Sequence, residues 1–276
     1  MFSFIYSRKD CTSEKNVADV TIVLNIWKRR YLKEQLESLY RQTILPKNIW
    51  ILQCEEHTSI KKTIKKFPNI QYIHSSQDLK YFGRFSIANH IDTCYTWILD
   101  DDIIPSSSWI ETCISSCSKY NAIICCNGRF IDKNDYTPEI AKWPGYLQTH
   151  FIGDARYPLG YNYCPKDTFV DYGCSSFFFK TEWIRHFWSI WPITFQTGED
   201  IHLSATCMIR AGIPTVIPCQ FSENDSGNIT PAYSHDKHAS WMREEFIPQR
   251  TMVLQYLINK GGWNPIYWKE PTPIIT

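Results

Sequence analysis

Short apolar runs alternate with amphipathic stretches through the first hundred residues. Residues 20–24 are apolar apart from Thr21, the pattern of a strand buried on both faces. Residues 31–43 set Leu32, Leu36, Leu39 and Tyr40 along one side of a helix. Pro46 ends that connection, and residues 49–53 form a second strand. A short basic helix over 58–67, a strand over 70–73, a helix over 85–94 and a strand over 96–99 complete the series. Regular alternation of strand and helix predicts an α/β fold, with an open, mostly parallel central sheet and helices on both faces.

The second half is less regular. A helix is expected over 107–119, a strand over 121–126, and long loops rich in Tyr, Pro, Gly and Asp over 133–173. A strand over 175–179 and a helix over 181–188 follow. Gly198-Glu199-Asp200 opens a helix that runs to about Arg210, and 213–217 is the last clear strand. A polar loop covers 221–236, and the helical end is broken or kinked at Pro248. The chain has no internal repeat and no low-complexity segment.

The strand over 96–99 stops at three consecutive carboxylates, Asp100, Asp101 and Asp102. Like charges at such a place repel one another, so they stay in water or hold a cation. Hard divalent ions such as Mg²⁺ and Mn²⁺ take carboxylate oxygen and leave positions for phosphate oxygens. The other reading is an acidic turn before the helix that begins near Ser106-Ser107-Ser108, since Asp and Ser favour helix starts. A second acidic pair, Glu199-Asp200, follows Thr197-Gly198 and precedes the periodic Ile201, Leu203, Ala205 and Met208. The helix dipole alone favours acids in a first turn. A base or a charge stabiliser facing a ligand would stand in the same place. A cation site and a proton acceptor together point to group transfer from a phosphorylated donor.

Composition narrows the classes. The chain has 276 residues, 43% hydrophobic and 21% charged, enough for one α/β domain with a sizeable core. A formal net charge of +1 argues against a surface built to wrap nucleic acid. The 11 cysteines are odd in number and scattered, with Cys125-Cys126 in an apolar run, so they read as buried free thiols. Residues 1–10 are too short and too soon charged for a secretory signal, and no apolar run approaches a membrane span. These features point to a reducing, cytoplasmic setting. Aromatic residues reach 15%, with 11 Trp and 16 Tyr, which serves a bulky core or stacking against sugars and bases alike.

With these residues in order, the chain resembles a nucleotide-sugar-dependent glycosyltransferase of the GT-A, Rossmann-like fold. Val20 to Arg30 resembles the first strand and nucleotide turn, and Gln35 to Pro46 the helix and proline loop before the second strand. Asp100-Asp101-Asp102 resembles the metal-binding DxD motif. Gly198-Glu199-Asp200 resembles the acidic motif opening the catalytic helix, with Gly212-Ile213-Pro214 after it. The resemblance implies a single domain over 1–276, with a nucleotide-sugar-binding half over 18–130 and an acceptor-binding, catalytic half over 131–276. Two groups are in play, the large inverting one and the retaining, exostosin-like one. Gly128-Arg129-Phe130 and the stretch 250–266 favour the second, while Thr197-Gly198 stands where it carries Asn-Cys.

Carried over by position, the resemblance implies these roles. Asp102 binds Mn²⁺ or Mg²⁺, with His235 or His238 as a further ligand, and Asp100, beside Asp101, meets the ribose. Asn25, Lys28 and Arg29 line the nucleotide turn, Gln53 and Glu55 read the uracil edge, Arg84 reaches the donor, and Arg250 approaches the diphosphate. Asp200, or failing it Glu199, is the base of an inverting transfer; in a retaining one Asp200 steadies the transition state. The loop 143–173, with Trp143, Tyr146, Asp154 and Tyr161 among its residues, is the candidate platform for a glycan or glycoprotein acceptor. The expected donor is a UDP-sugar. Small stand-alone transferases of this kind are similar to those of bacteria and of large DNA viruses such as chloroviruses, which implies a host-cytosol setting and UDP-xylose as one donor. A metal-dependent phosphoesterase or nuclease, and a non-catalytic sugar-binding module, are the rival classes.

Overall fold

The computed structural model describes residues 16–131, 149–152 and 160–265. Its first half follows the expected alternation. β1 (Val17–Ile26), α1 (Leu32–Tyr40), β2 (Leu45–Cys54), the single turn α2 (Lys61–Ile64), β3 (Ile70–Ser75), α3 (Gly83–Ile87) and β4 (Tyr95–Leu99) come in that order. Then come α4 (Trp109–Tyr120), β5 (Ile123–Ile124), β6 (Asn127–Ile131), β7 (Thr149–Ile152), β8 (Thr168–Val170), β9 (Tyr172–Cys174) and β10 (Ser176–Lys180). α5 (Ile184–Phe187), α6 (Glu199–Ala211), β11 (Thr215–Ile217) and α7 (Phe246–Asn259) close the described chain.

Eight strands form one sheet in the order β3-β2-β1-β4-β10-β5-β11-β8. β3, β2, β1 and β4 are mutually parallel, as are β5 and β11. β10 enters antiparallel between β4 and β5, and β8 antiparallel at the edge. The expected α/β architecture with a mostly parallel central sheet and flanking helices is therefore present. From β1 the chain builds outward through β2 to β3, then returns to set β4 on the other side of β1. Such a reversal opens a crevice at the carboxyl ends of the two strands. Leu24 pairs with Leu99, so the next residues, Asn25 and Asp100, emerge side by side at that crevice.

Burial explains why these strands lie at the centre. Val20, Ile22, Val23 and Leu24 of β1 and Trp97, Ile98 and Leu99 of β4 are all fully buried. Strands covered on both faces need such continuous apolar runs. α1 adds something the apolar pattern does not show. Gln35 and Ser38 share its buried face, and Gln42, just past its end, is buried too. Gln35 Nε2 donates to the carbonyls of Asp100 (2.8 Å) and Ile103 (3.1 Å). Ser38 Oγ donates to Pro105 O (2.6 Å), and Gln42 Nε2 to Ser106 O (2.6 Å). The acidic turn is thus held from beneath by two polar side chains of α1 and by Gln42, two residues past its end.

Several local expectations are corrected. Pro46 does not end a connection but pairs with Ala18 inside β2, beside an irregularity in the ladder. The helix over 58–67 shrinks to one turn, and that over 85–94 stops at Ile87 before a 3₁₀ turn at Ala88–His90. The strand over 121–126 splits: β5 keeps two residues, and the chain crosses into a second sheet, β7-β6-β9. Pro248 neither breaks nor kinks α7, because it is the third residue of the helix. Amides of a first turn have no intrahelical acceptor, so a missing N–H there costs nothing. The ten described cysteines are free, as expected. Among the described residues no helix is long and apolar enough to cross a membrane.

Candidate active site

The crevice at the ends of β1 and β4 widens into a cavity of about 740 Å³. Asp100, Asp101 and Asp102 enter it from β4, and Glu199 and Asp200 from the first turn of α6. Gly198 makes the second entry possible. Its φ is +83°, and a Cβ there would stand 2.9 Å from a Val253 methyl, so the close packing of α7 on this turn requires glycine. The helix dipole favours both acids in that first turn.

Three arginines tie the carboxylates together. Arg84, 2% exposed, donates to Asp100 through Nη1 and to Glu199 Oε1 through Nη2 (2.9 Å). Arg250 grips Asp200 with both nitrogens, Nη1 to Oδ1 at 2.9 Å and Nη2 to Oδ2 at 2.7 Å. Arg29 Nη1 lies 2.7 Å from Asp101 Oδ1 and 2.8 Å from Asp102 Oδ2. Its Nε and Nη2 reach Asp236 at 3.0 and 3.1 Å. Six carboxylates therefore meet three guanidinium groups, and the set keeps an excess of negative charge.

That excess raises the proton affinity of the buried acids. Burial, then repulsion from Asp101 and Asp100, pushes Asp102 up to about 7. Burial raises Asp101 as well, against the pull of Arg29. Burial, then the Asp200 charge, pushes Glu199 up to about 7, with Arg84 and Arg250 opposing. Burial works against the charge of Arg29, but Asp101 and Asp102 more than offset it.

Glu199 consequently binds its proton more tightly folded than unfolded. Its contribution to stability is whole below its ordinary value of 4.5 and is lost as pH rises towards about 7. Asp102 acts in the same direction from its ordinary 3.8. We expect the Tm measured in chelator to fall across this window, and Glu199→Gln to flatten the fall. A Glu199→Gln chain with the wild-type slope would contradict the assignment.

The other expected site residues divide. Asn25 lines the cavity, and its Oδ1 is buried without a partner among the described residues. Lys28 lines it too, its ammonium 3.8 Å above the Trp27 ring. Gln53 and Glu55 do not line it, contrary to their expected place at a base edge. Gln53 Nε2 is engaged by Thr58 O and its Oε1 by the Tyr72 hydroxyl, while Glu55 accepts from Trp27 Nε1 and His57. Cys54, Asp78 and Lys80 stand at the wall instead. Arg250, expected to approach a diphosphate, lines the cavity and holds Asp200. His235 and His238 both line the cavity. Tyr161 does not; its hydroxyl donates to Phe221 O (2.8 Å). Trp143, Tyr146 and Asp154 lie outside the described residues.

Sequence reasoning missed Asp236, which completes the Arg29 clamp, and Asn127, which lines the cavity from the second sheet. Neither carries a motif of its own. For a metal, no three His, Cys, Asp or Glu among the described residues form a set that could hold an ion unaided. A divalent ion held by one or two carboxylates and completed by phosphate oxygens needs no such set. The crowded oxygen donors of Asp101 and Asp102, with their excess charge, fit an ion of that kind.

The sequence profile of glycosyl transferase family 2 matches residues 20–185. That stretch carries the aspartate triplet and ends before Glu199. Among solved structures, S. aureus TarS superposes with a TM-score of 0.47 at 9% identity. The match covers 74% of this chain and 35% of TarS, so the chain spans about a third of that protein. No curated protein matches the sequence.

Proposed function

Because this chain belongs to glycosyl transferase family 2, we propose that it moves a sugar from a UDP-sugar to a hydroxyl of a glycan acceptor, with Mn²⁺ or Mg²⁺ bound. One observation carries the reading: the acids of β4 and those of α6, a hundred residues apart in sequence, face one cavity at the reversal point of the sheet. Asp102 would hold the ion, with His235 or His238 in reach of the same cavity. Bound there, the ion would offset charge on the leaving diphosphate.

The remaining roles belong to side chains of the chain. Asp100, anchored by Arg84, faces the ribose side, and Asn25 and Lys28 line the nucleotide side. Thr197-Gly198, where the exostosin-like group carries Asn-Cys, favours the inverting group. Inversion needs a carboxylate on the face of the sugar opposite the diphosphate. Asp200 takes the acceptor proton as that oxygen attacks the anomeric carbon and the bond to the diphosphate breaks. Arg250 keeps Asp200 aimed. A second reading gives the proton to Glu199, favoured because only its Oε1 is engaged and its pKa of about 7 suits a general base.

Calorimetric titration of UDP-sugars tests the reading. Binding is expected with Mn²⁺ and its loss in excess chelator. Equal binding in both would remove the metal from the account.

A further inference from the structure

Four asparagines line the cavity: Asn25, whose Oδ1 is unpartnered among the described residues, stands at the nucleotide turn, and three come from other segments, Asn127, Asn162 and Asn228. Two of these three hold the fold. Asn162 Nδ2 donates to Cys126 O (3.3 Å). Asn228 Oδ1 accepts from the amides of Ile104 (3.3 Å) and Thr230 (3.1 Å). Asn127 differs. It is 7% exposed, and its Oδ1 is buried with no hydrogen-bond partner among the described residues. A buried acceptor left open costs stability, and such groups call for an explanation.

Position gives one. Asn127 opens β6 opposite Cys174, and the next residue, Ser175, accepts the Asp100 amide at 2.9 Å. Asn127 therefore stands one residue step across the ladder from the acid turn, on the side away from Trp27 and Lys28 of the nucleotide turn. Its neighbour cannot take its place: the Cys126 carbonyl already accepts from Asn162 and from Gln220 Nε2 (2.8 Å). Two bonds fill a carbonyl's lone pairs.

We propose that Asn127 reads a hydroxyl of the donor sugar, which makes it a specificity-determining residue. This deepens the donor reading above and rests on it. A hydroxyl both donates and accepts, so it satisfies the amide in either orientation of the side chain.

The test separates sugar from nucleotide. Calorimetry with Mn²⁺ compares UDP alone with UDP-glucose, UDP-galactose, UDP-xylose and UDP-N-acetylglucosamine, on wild-type chain, Asn127→Ala and Asn127→Ser. Loss of an unpaired buried acceptor should not lower Tm, and UDP should bind all three chains alike. The tightest UDP-sugar should bind both variants roughly threefold to tenfold more weakly, the worth of one uncharged hydrogen bond. An undiminished UDP-sugar affinity in the variants overturns the role of Asn127 alone and leaves the donor reading standing. So does an equal loss for UDP and UDP-sugar. A wild-type chain that binds UDP-sugars no better than it binds buffer overturns both.

Discussion

Replacement of Asp200 by asparagine is expected to leave UDP-sugar binding intact and to lower kcat by about 10²- to 10⁴-fold, the usual contribution of a positioned base. The amide keeps the shape of the carboxylate and can still accept from Arg250, but it cannot take a proton from an acceptor hydroxyl. The Arg250 contact makes this a sharp test, because both oxygens of Asp200 are held and the side chain has little freedom to relax. Glu199→Gln is the paired measurement. It should cost less than Asp200→Asn if Asp200 is the base, and more if the second reading holds. An Asp200→Asn chain with wild-type turnover would remove Asp200 from the chemistry.

The second large effect is structural. Arg84→Ala should lower the unfolding free energy by about 3–5 kcal/mol, the range for breaking a buried ion pair from one side. Arg84 is 2% exposed and is the described link between the acids of β4 and those of α6, through Asp100 and Glu199. Its removal leaves the buried Glu199 without its cation and the half-exposed Asp100 without its anchor. Arg84→Lys should recover only part of the loss, since one ammonium lacks the two-pronged geometry that reaches both partners. Urea unfolding at neutral pH reads both variants. A midpoint unchanged in Arg84→Ala would show that the two acid groups do not depend on this bridge.

The strands that carry the site are legible in the sequence for a physical reason. β1 and β4 are covered on both faces, so Val20 to Leu24 and Trp97 to Leu99 form runs that no other element explains well. α6 is legible from its glycine, its two acids and the apolar period behind them. The supports of the site are harder to see. Gln35 and Ser38 lie on a buried helix face and Gln42 just past its end, where a polar residue looks like an error until its backbone partners are known. Asp236 reaches Arg29 across more than two hundred residues, and Asn127 belongs to a second sheet that the run 121–126 hides. Arg250 illustrates the general difficulty: its charge is plain in the sequence, but its choice of Asp200 depends on how α7 packs over Gly198.

The proposed transfer is tested most directly by release of UDP. The wild-type chain, given a UDP-sugar and Mn²⁺, should liberate UDP well above the rate without protein. Excess chelator should stop it, and the Asp200→Asn chain should stay near background while still binding the donor. UDP release that persists in chelator, or that Asp200→Asn leaves unchanged, would contradict the account.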